Sequence, residues 1–250
     1  MMHDRHRKLQ ALQDRIVECT KCPRLVAWRE RVAREKVKRF QDQTYWGRPI
    51  TGFGDFDARL LLVGLAPAAH GGNRTGRIFT GDRSGDWLFE TLHRFGFANQ
   101  AESVSRDDGL RLVDCFITAA VRCAPPQNKP TREEKQNCFA YLCEEIELLP
   151  RVRVVVALGK IAFDTVFDAY RALNLTELRK RPRFEHGVEI ELNERVRLLA
   201  SYHPSQQNTF TGKLTRPMFD AVFQRAQALL RGADEAGVAP ARAAVAAKGA

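Results

Sequence analysis

Four short apolar segments, each followed by a stretch with helical periodicity, constrain the fold of this chain more than any other feature. The segments are residues 59–64, 115–121, 152–158 and 196–202. Short runs rich in Leu, Ile and Val are typical of strands that are buried on both faces. Strands that alternate with helices indicate a parallel sheet covered by helices. We therefore predict an α/β fold of three layers, α/β/α, with a mainly parallel central sheet.

The helical stretches that follow these segments define the rest of the domain. They are predicted at residues 85–95, 132–148, 160–172 and 217–230, with Ser84, Thr131 and Thr215 as N-cap residues. Residues 184–192, around Gly187, are predicted to add a hairpin at one edge of the sheet. Residues 1–232 are expected to form a single domain. Residues 233–250 contain nine Ala in 18 positions and are predicted to be a disordered tail.

Composition excludes several classes of protein. The 250 residues are 44% hydrophobic and 28% charged, which is enough to bury a sizeable core and argues against a disordered or fibrous chain. The longest apolar stretches are far shorter than the ~18 residues that a membrane-spanning helix needs. The charged start of the chain is not followed by the apolar segment of a secretion signal. We therefore expect a cytoplasmic protein with reduced thiols and no membrane partner.

Positive charge is concentrated at the start of the chain. Residues 1–48 contain 13 Lys or Arg and 6 acidic residues, and the whole chain carries a net charge of +10. Aromatic residues such as Trp28 and Phe40 are interleaved with these cations. This pattern fits a surface that follows DNA phosphates, because bound Lys and Arg release condensed counterions. A solvated helix face explains the charge alone equally well.

Four of the six cysteines have a spacing that suggests ligands. Cys19 and Cys22 form a C-x2-C pair, and Cys123 and Cys138 are separated by fourteen residues. Thiolate ligation of an iron–sulfur cluster needs four cysteines and tolerates varied spacing. A zinc site would more usually offer a second close pair or a histidine pair, and free buried thiols are the third possibility. Cys115 and Cys143 are predicted to pack in the core.

The loop after the first predicted strand is rich in glycine and alanine. It reads GLAPAAHGGNRTGRIFTGDRSGD from Gly64 to Asp86. Small residues let the backbone approach a flat ligand and leave N–H groups free to donate to it. The loop has neither G-x4-G-K-[ST] nor G-x-G-x-x-G, which argues against a nucleoside triphosphate or dinucleotide site.

Two side chains in this loop are candidates for chemistry. Phe79 lies among glycines and polar residues, where a core aromatic is not expected, so it is a candidate stacking platform. Asp82 precedes a predicted helix start, where it could cap that helix or could orient or deprotonate a water. The sequence leaves both roles of Asp82 open.

A second polar loop follows the last predicted strand and reads SYHPSQQNTFTGKLTRPM from Ser201 to Met218. His203 lies at the carboxyl end of that strand, next to Pro204. In parallel sheets, ligands bind beyond the carboxyl ends of the strands. The position of His203 therefore favours a functional role, although a structural histidine remains an alternative.

These motifs resemble the uracil-DNA glycosylase superfamily, and specifically its family 5 (type B) iron–sulfur class. The resemblance extends over nearly the whole chain to about residue 230. Its carriers are the four cysteines, the two loops and the segment ITAAVRCAPPQNKPT that begins at Ile117. Family 4 enzymes have a similar cysteine layout but carry Glu at the position of Leu65 and Gly at that of Ala68. The residues present here are those of family 5.

The resemblance implies a uracil-DNA glycosylase-like fold and an enzyme of DNA repair that flips uracil out of DNA. The enzyme would hydrolyse the N-glycosidic bond and leave an abasic site. It implies His203 as the hydrogen-bond donor to the leaving base and Asp82 as the residue that orients the attacking water. The residues it implies for the base pocket are Gly64, Leu65, Ala66, Ala68, Phe79, Ala119 and Asn128. Those implied for DNA contact are Ser205, Asn208, Thr209 and Thr211.

The resemblance also implies a [4Fe-4S] cluster on Cys19, Cys22, Cys123 and Cys138, with a structural role that pins the basic N-terminal segment to the segment between Cys123 and Cys138. The expected partner is damaged DNA, single- or double-stranded. We expect the protein to act as a monomer in the cytoplasm, associated with the nucleoid.

Two positions depart from the pattern of the relatives. Several relatives carry an Asn in the strand motif before the third cysteine, where this chain has Ala119. Loss of that amide predicts a broader substrate range that includes hypoxanthine, because strong selectivity comes from polar groups left unpaired by the wrong ligand. The polar residue that activates water in other members is replaced here by Ala68 or Ala69. Asp82 is therefore the stronger candidate for that role.

Two other functions compete with this interpretation. The main alternative is a weakly catalytic DNA-lesion-binding protein that uses the same pocket, and the missing Asn and the missing acid in the first loop favour it slightly. Asp82, His203 and Phe79 together argue against it, because a pure binder needs no acid beside a histidine-bearing loop. A nucleotide-handling α/β enzyme would leave the four cysteines and the basic N-terminus unexplained.

Overall fold

The predicted strands form the centre of the fold. The structure is a computed structural model that describes residues 2–237. Its strands are β1 (Phe53–Gly54), β2 (Leu60–Gly64), β3 (Cys115–Ala119), β4 (Val154–Leu158), β5 (Glu189–Glu191) and β6 (Arg197–Ser201). Within the described residues they form one six-stranded sheet in the order β1-β3-β2-β4-β6-β5. The four central strands pair in parallel, and the two edge strands are antiparallel to their neighbours. The mainly parallel sheet is confirmed.

Helices cover both faces of this sheet. They are α1 (Met2–Val17), α2 (Pro23–Glu35), α3 (Gly72–Thr75), α4 (Arg83–Arg94), α5 (Arg132–Leu148), α6 (Lys160–Ala172), α7 (Gln206–Phe210) and α8 (Arg216–Gly237). Short 3-10 turns span Lys38–Phe40 and Pro126–Asn128.

Alternation along β4 shows how the two cores form. Val154 and Val156 belong to one buried cluster, whereas Val155 and Ala157 belong to the other, because successive strand residues point to opposite faces. The first cluster includes buried residues of α4 and α8, and the second includes buried residues of α1, α5 and α6. The predicted three-layer α/β/α architecture is therefore confirmed.

The helix starts agree with the sequence in part. Thr131 caps α5 through a capping box with Glu134, as the threonine followed by an acidic third residue indicates. Thr215 precedes α8, and its Oγ1 accepts from the Met218 N–H at 3.4 Å. The prediction of Ser84 as the cap of α4 is wrong, because the helix begins at Arg83 and Asp82 caps it.

The N-terminal segment holds helices that the sequence analysis treated only as a basic stretch. In α1, Leu9, Leu12 and Ile16 are fully buried against the sheet-facing cluster that contains α5. Their spacing of three and four residues places them on one face of the helix. The abundant charge on the other faces hid this pattern.

The chain ends differ from the prediction as well. The strand β5 forms the predicted antiparallel edge, but Gly187 precedes that strand and the turn follows Glu191. The helix α8 continues to Gly237 and so enters the segment predicted to be a disordered tail. The remainder of that tail, residues 238–250, lies outside the described residues.

Candidate active site

The carboxyl ends of β2 and β3 bring together residues from two of the loops. Gly64 and Ala119 are paired across these parallel strands. The pairing continues beyond the strands, since the Ala120 N–H donates to the Gly64 carbonyl at 2.9 Å. Ala119 is 1% exposed and belongs to the same apolar cluster as Phe79. Gly64 and Ala119 therefore contribute only backbone and a methyl group where these two strands end.

Phe79 lies against both Gly64 and His203. Its φ of +52° is rare for a residue with a side chain and is held by the surrounding loop. A Cβ added to Gly64 would lie 2.8 Å from the Phe79 Cζ, so only glycine permits this ring position. The centroids of the Phe79 and His203 rings are 5.8 Å apart with 29° between their planes. The Phe79 ring is buried in this arrangement, and its role as a base-stacking platform stays a prediction.

Asp82 caps α4 and also faces the first loop. Its Oδ1 accepts from the Gly85 N–H at 3.0 Å. On the other side of the carboxylate, a Cβ added to Gly71 would overlap Oδ2, so the loop backbone is in close contact with it. Burial raises the pKa of Asp82 above its ordinary value, and hydrogen bonds from the N–H groups of Gly85 and Ser84 oppose that rise. The capping role is confirmed, and the carboxylate also borders the loop predicted to bind the base.

Arg74 holds the first loop in this shape. Its buried guanidinium donates from Nε to the His70 carbonyl at 2.7 Å and from Nη2 to the Gly81 carbonyl at 2.9 Å. A third bond runs from Nη1 to the Gln43 Oε1 at 2.6 Å, and the guanidinium lies 3.9 Å from the centroid of the Phe40 ring. Arg74 therefore ties both ends of the loop to the N-terminal segment. This role of Arg74 is not visible in the sequence, because one arginine in a basic chain gives no signal of burial.

His203 follows β6 at the same edge of the sheet. Burial lowers the pKa of His203 to about 4, so the half-buried ring is neutral at pH 7. A neutral imidazole carries one N–H and can donate a hydrogen bond without a full charge. The His203 carbonyl accepts from the Asn208 Nδ2 at 2.8 Å, which fixes the backbone here. The ring is thus held as a neutral donor beside Phe79.

The polar side chains of the second loop bond within the loop. Ser205 Oγ accepts from the Asn208 N–H at 3.3 Å, Thr209 Oγ1 donates to the Gln206 carbonyl at 3.3 Å, and Thr211 Oγ1 donates to the Gln207 carbonyl at 2.7 Å. These bonds cap and brace α7. Phosphate oxygens only accept, so each threonine must give up its local bond before its hydroxyl donates to DNA. Contact of these residues with DNA stays a prediction.

Two exposed residues, Phe210 and Asn128, lie outside the buried part of the candidate site. Phe210, at the end of α7, is 67% exposed, and the Arg83 guanidinium lies 4.4 Å from the centroid of its ring. Phe210 is not among the residues predicted for the site, although an aromatic residue in a polar loop is a usable signal in the sequence. Asn128 is exposed on the Pro126–Asn128 turn, outside the buried group formed by Gly64, Phe79 and Ala119.

The four cysteines predicted as ligands line one cavity. Cys19, Cys22, Cys123 and Cys138 all line a small cavity of about 10 Å³. Cys22 immediately precedes α2, Cys123 follows β3, and Cys138 lies in α5. Within residues 2–237, no three His, Cys, Asp or Glu side chains are placed to hold a single metal ion. The thiols line the wall of the cavity rather than converge on one point.

Hydrogen-bond donors surround these sulfurs. Arg29 Nη1 donates to the Cys123 Sγ at 3.0 Å, and Asn137 Nδ2 donates to the Cys22 Sγ at 3.5 Å. Burial raises the pKa of the Cys123 thiol to about 12 and also raises the pKa of the Cys138 thiol. N–H donors stabilise a thiolate, and metal binding deprotonates a thiol outright. The donor set fits an iron–sulfur cluster held by four thiolates.

Cys115 and Cys143 belong to the packed core instead. Cys115 is fully buried in β3 within the cluster that contains α4 and α8. Cys143 is half-buried on α5 and packs against the cluster on the opposite face. Their predicted core packing is confirmed.

Comparison with known proteins decides the family. A model of the Uracil DNA glycosylase superfamily matches residues 51–227. The chain belongs to the uracil-DNA glycosylase superfamily. The type-5 uracil-DNA glycosylase of Mycobacterium tuberculosis is 53% identical over 212 residues, which cover 84% of this chain and 78% of the relative. The type-5 uracil-DNA glycosylase of Thermus thermophilus is 50% identical over 221 residues, which cover 88% of this chain and 97% of the relative.

Within the superfamily, this uracil-DNA glycosylase homologue groups with the type-5 proteins. A type-4 uracil-DNA glycosylase of Thermotoga maritima is only 28% identical over 205 residues. The resemblance to family 5 that the motifs indicated is therefore confirmed. Across residues 2–237, the structure contains no helix with the length and apolar character needed to cross a bilayer.

The geometry links the two sites of this superfamily member. Leu65, Ala66 and Ala68 are half-buried and follow β2 directly, as predicted. Ala66 also packs against the buried cluster that contains Cys22 and three other residues around the cysteine cavity. The loop predicted to bind the base is therefore in contact with the wall of the cavity.

Proposed function

We propose that this protein is a DNA-repair glycosylase that excises uracil by hydrolysing the N-glycosidic bond, leaving an abasic site. One observation carries the proposal. Phe79 and Asp82 of the first loop and His203 of the second lie at the carboxyl edge of the sheet, in a chain about half identical to type-5 uracil-DNA glycosylases. A flipped base needs a largely apolar binding site with a few aimed polar groups, and these three side chains supply an aromatic ring and two polar groups.

His203 acts on the leaving base. The base departs with negative charge, so a donor aimed at its oxygen lowers the barrier more than it stabilises bound substrate. A single donor of this type contributes ~3 kcal/mol. The low pKa of His203, about 4, keeps the ring neutral at working pH. A neutral donor stabilises the developing anion without first transferring a proton.

Asp82 acts on the sugar side of the reaction. Loss of the base leaves an oxocarbenium-like sugar, which a nearby carboxylate stabilises while it orients the attacking water. Hydrogen bonds from backbone N–H groups favour the ionised carboxylate against the effect of burial. The neighbouring loop positions Ala68 and Ala69 offer no polar group for this task.

The substrate range extends beyond uracil to hypoxanthine. The strand end that borders the pocket presents the Ala119 methyl group, which cannot hydrogen-bond to one base edge in preference to another. A pocket without such a group cannot reject a different base by leaving a polar atom unpaired. Phe210, exposed at the rim, offers a ring that can pack against bases next to the flipped one.

A [4Fe-4S] cluster on Cys19, Cys22, Cys123 and Cys138 supplies a structural tie rather than a chemical step. It would join the start of α2 to β3 and α5, and so hold the basic N-terminal segment on the domain. The four-thiol donor set and the N–H donors to sulfur support this assignment. Iron and sulfide content of the purified protein, with its visible absorption, tests it.

The partner is damaged DNA. Because one chain handles one flipped base, the protein acts as a monomer. It acts in the cytoplasm, at the nucleoid. Size-exclusion chromatography with and without DNA tests the monomer. Fluorescence microscopy of the tagged protein tests the location.

The deciding experiment uses oligonucleotides that carry one uracil or one hypoxanthine, in single and double strands. After incubation with iron-loaded protein, alkali cleaves any abasic site and a gel separates the products. Scission at the uracil is the expected result, with hypoxanthine excised at a rate within about two orders of magnitude. Intact strands from protein that still binds the lesion would favour the lesion-binding alternative. Uracil excision faster than hypoxanthine excision by several orders of magnitude would overturn the broad substrate range alone.

A further inference from the structure

Two buried arginines border the cysteine cavity, which is unusual because arginine is rarely buried without a partner. Arg122 is 1% exposed and lines the cavity, and Arg29 is 4% exposed. Arg29 Nη1 donates to the Cys123 Sγ at 3.0 Å and to the Cys19 carbonyl at 3.3 Å. The Nε atoms of both arginines are buried and have no partner among the described residues.

The charge around the cavity is not balanced by protein groups alone. Arg122 is paired with Glu145, whose Oε2 accepts from Arg122 Nη2 at 2.6 Å and from the Thr118 hydroxyl at 2.7 Å. No described carboxylate lies within ion-pair distance of Arg29. A buried cation without an anion is strongly unfavourable. The cavity therefore has the electrostatics of a site for an anion.

An iron–sulfur cluster held by four thiolates is such an anion. An oxidised [4Fe-4S] core with four thiolates carries a net charge of roughly −2, and one-electron reduction makes the assembly more negative. Hydrogen bonds to the sulfurs and nearby positive charge stabilise the reduced form more than the oxidised one. Arg29, whose Nη1 lies 3.0 Å from the Cys123 Sγ, is placed to provide both effects, and Arg122 adds positive charge in the cavity wall.

We propose that Arg29 and Arg122 form a cationic cradle that raises the reduction potential of the cluster and protects it from loss. The inference rests on the proposed iron–sulfur cluster and goes beyond it, since it assigns a role to residues that are not ligands. Arg29 also bridges two ligand-bearing segments, because one nitrogen contacts both the Cys19 carbonyl and the Cys123 sulfur. Both arginines are positioning residues for the cluster and have no part in the chemistry on the base.

The test uses variants of the full-length, iron-loaded protein that shift the charge in opposite directions. Arg29→Gln removes a cation. Arg29→Lys keeps the charge but loses the planar guanidinium, which can donate to two acceptors at once. Glu145→Gln removes the carboxylate that offsets Arg122. Lys21→Gln is the matched control, because Lys21 also lines the cavity but is exposed to solvent, which screens its charge.

The measurements are iron and sulfide per chain, the midpoint potential by voltammetry, and the rate at which a chelator bleaches the visible absorption. We expect Arg29→Gln to lower the potential and bleach several-fold faster than wild type, with Arg29→Lys between the two. We expect Glu145→Gln to raise the potential. Opposite signs cannot arise from general loss of structure, and thermal melts identify any variant that fails to fold.

Two results would overturn different parts of the argument. Wild-type protein that takes up no iron or sulfide on reconstitution refutes the cluster itself, and the cradle with it. Loaded Arg29→Gln, Arg29→Lys and Glu145→Gln proteins with the potential and bleaching rate of Lys21→Gln refute the cradle and leave the cluster standing. If Arg29→Gln does not fold, Arg29→Lys and Glu145→Gln still show whether the midpoint potential shifts in the directions that the proposal requires.

Discussion

At the scale of single residues, Asp82 combines a structural and a chemical role that a suitable substitution separates. Asn caps helices about as well as Asp does, so Asp82→Asn preserves the start of α4. The amide has no negative charge for the oxocarbenium-like sugar. We therefore expect single-turnover uracil excision to fall by roughly 10²–10⁴-fold, while fluorescence anisotropy shows affinity for abasic DNA within a few-fold of wild type.

A cap substitution elsewhere is the matched control for Asp82→Asn. Thr131 caps α5, whose buried residues pack on the opposite face of the sheet from those of α4. Thr131→Asn should leave excision unchanged. Loss of abasic-site binding by Asp82→Asn, with its melting temperature intact, would contradict the catalytic role, because it would mean that the carboxylate serves binding.

His203 gives a pH dependence of stability. Its pKa is lowered from 6.5 to about 4 by burial, so the unfolded chain binds a proton at a higher pH than the native ring does. The contribution to stability is complete above pH 6.5 and is lost as the pH falls toward 4. Urea unfolding at pH 7, 6 and 5 should show wild type losing more stability with falling pH than His203→Gln. Equal losses in the two proteins would mean that the native ring titrates normally.

At the scale of elements, the first loop depends on glycine at the point where it meets Asp82. Gly71 immediately precedes α3 and lies against the Asp82 carboxylate, and the variant Gly71→Ala tests this contact. Its Cβ would overlap the Asp82 carboxylate. We expect kcat for uracil excision to fall by at least ten-fold, and a melting curve of the same variant measures how much stability the overlap costs. Gly232→Ala in α8, where a Cβ meets nothing within 4 Å, is the control and should keep full activity.

The elements also show what sequence can and cannot predict here. The predicted bounds of α5 and α6 match the structure, because a capping box starts one and a glycine after a buried strand starts the other. The cap of α4 was assigned to Ser84 because Ser84 and Asp82 are both good caps in isolation. Contact of Asp82 with Gly71, a loop neighbour distant from the helix in sequence, is not visible in a local pattern.

The same limit applies to the candidate site. The motifs brought Gly64, Phe79, Ala119 and His203 to attention, and strand pairing and loop packing bring them together. Arg74 was missed because its role depends on carbonyls of the loop and on a side chain of the N-terminal segment. Residues that act through long-range contacts cannot be recognised from the sequence that immediately surrounds them.

At the scale of the whole molecule, part of the N-terminal segment lies beside the candidate site, at the carboxyl ends of the central strands. The Lys38–Phe40 turn lies beside the first loop, where Phe40 stacks with Arg74. The exposed Lys38 and Arg39 thus carry positive charge at the carboxyl edge of the sheet. The start of β3 and the start of β4 lie at the opposite edge, because both strands are parallel to β2. Exposed Arg111 and Arg151 precede those starts.

This arrangement predicts how salt affects DNA binding. Each phosphate neutralised by a cation releases counterions, so the slope of log K against log salt counts the contacts. Lys38→Gln with Arg39→Gln should weaken binding to uracil-containing DNA and make that slope shallower by about one to two units. Arg111→Gln with Arg151→Gln removes the same charge from the opposite edge and should leave the slope unchanged. Anisotropy titrations at several salt concentrations measure both pairs, and equal slopes would mean that DNA does not reach the Lys38–Phe40 turn.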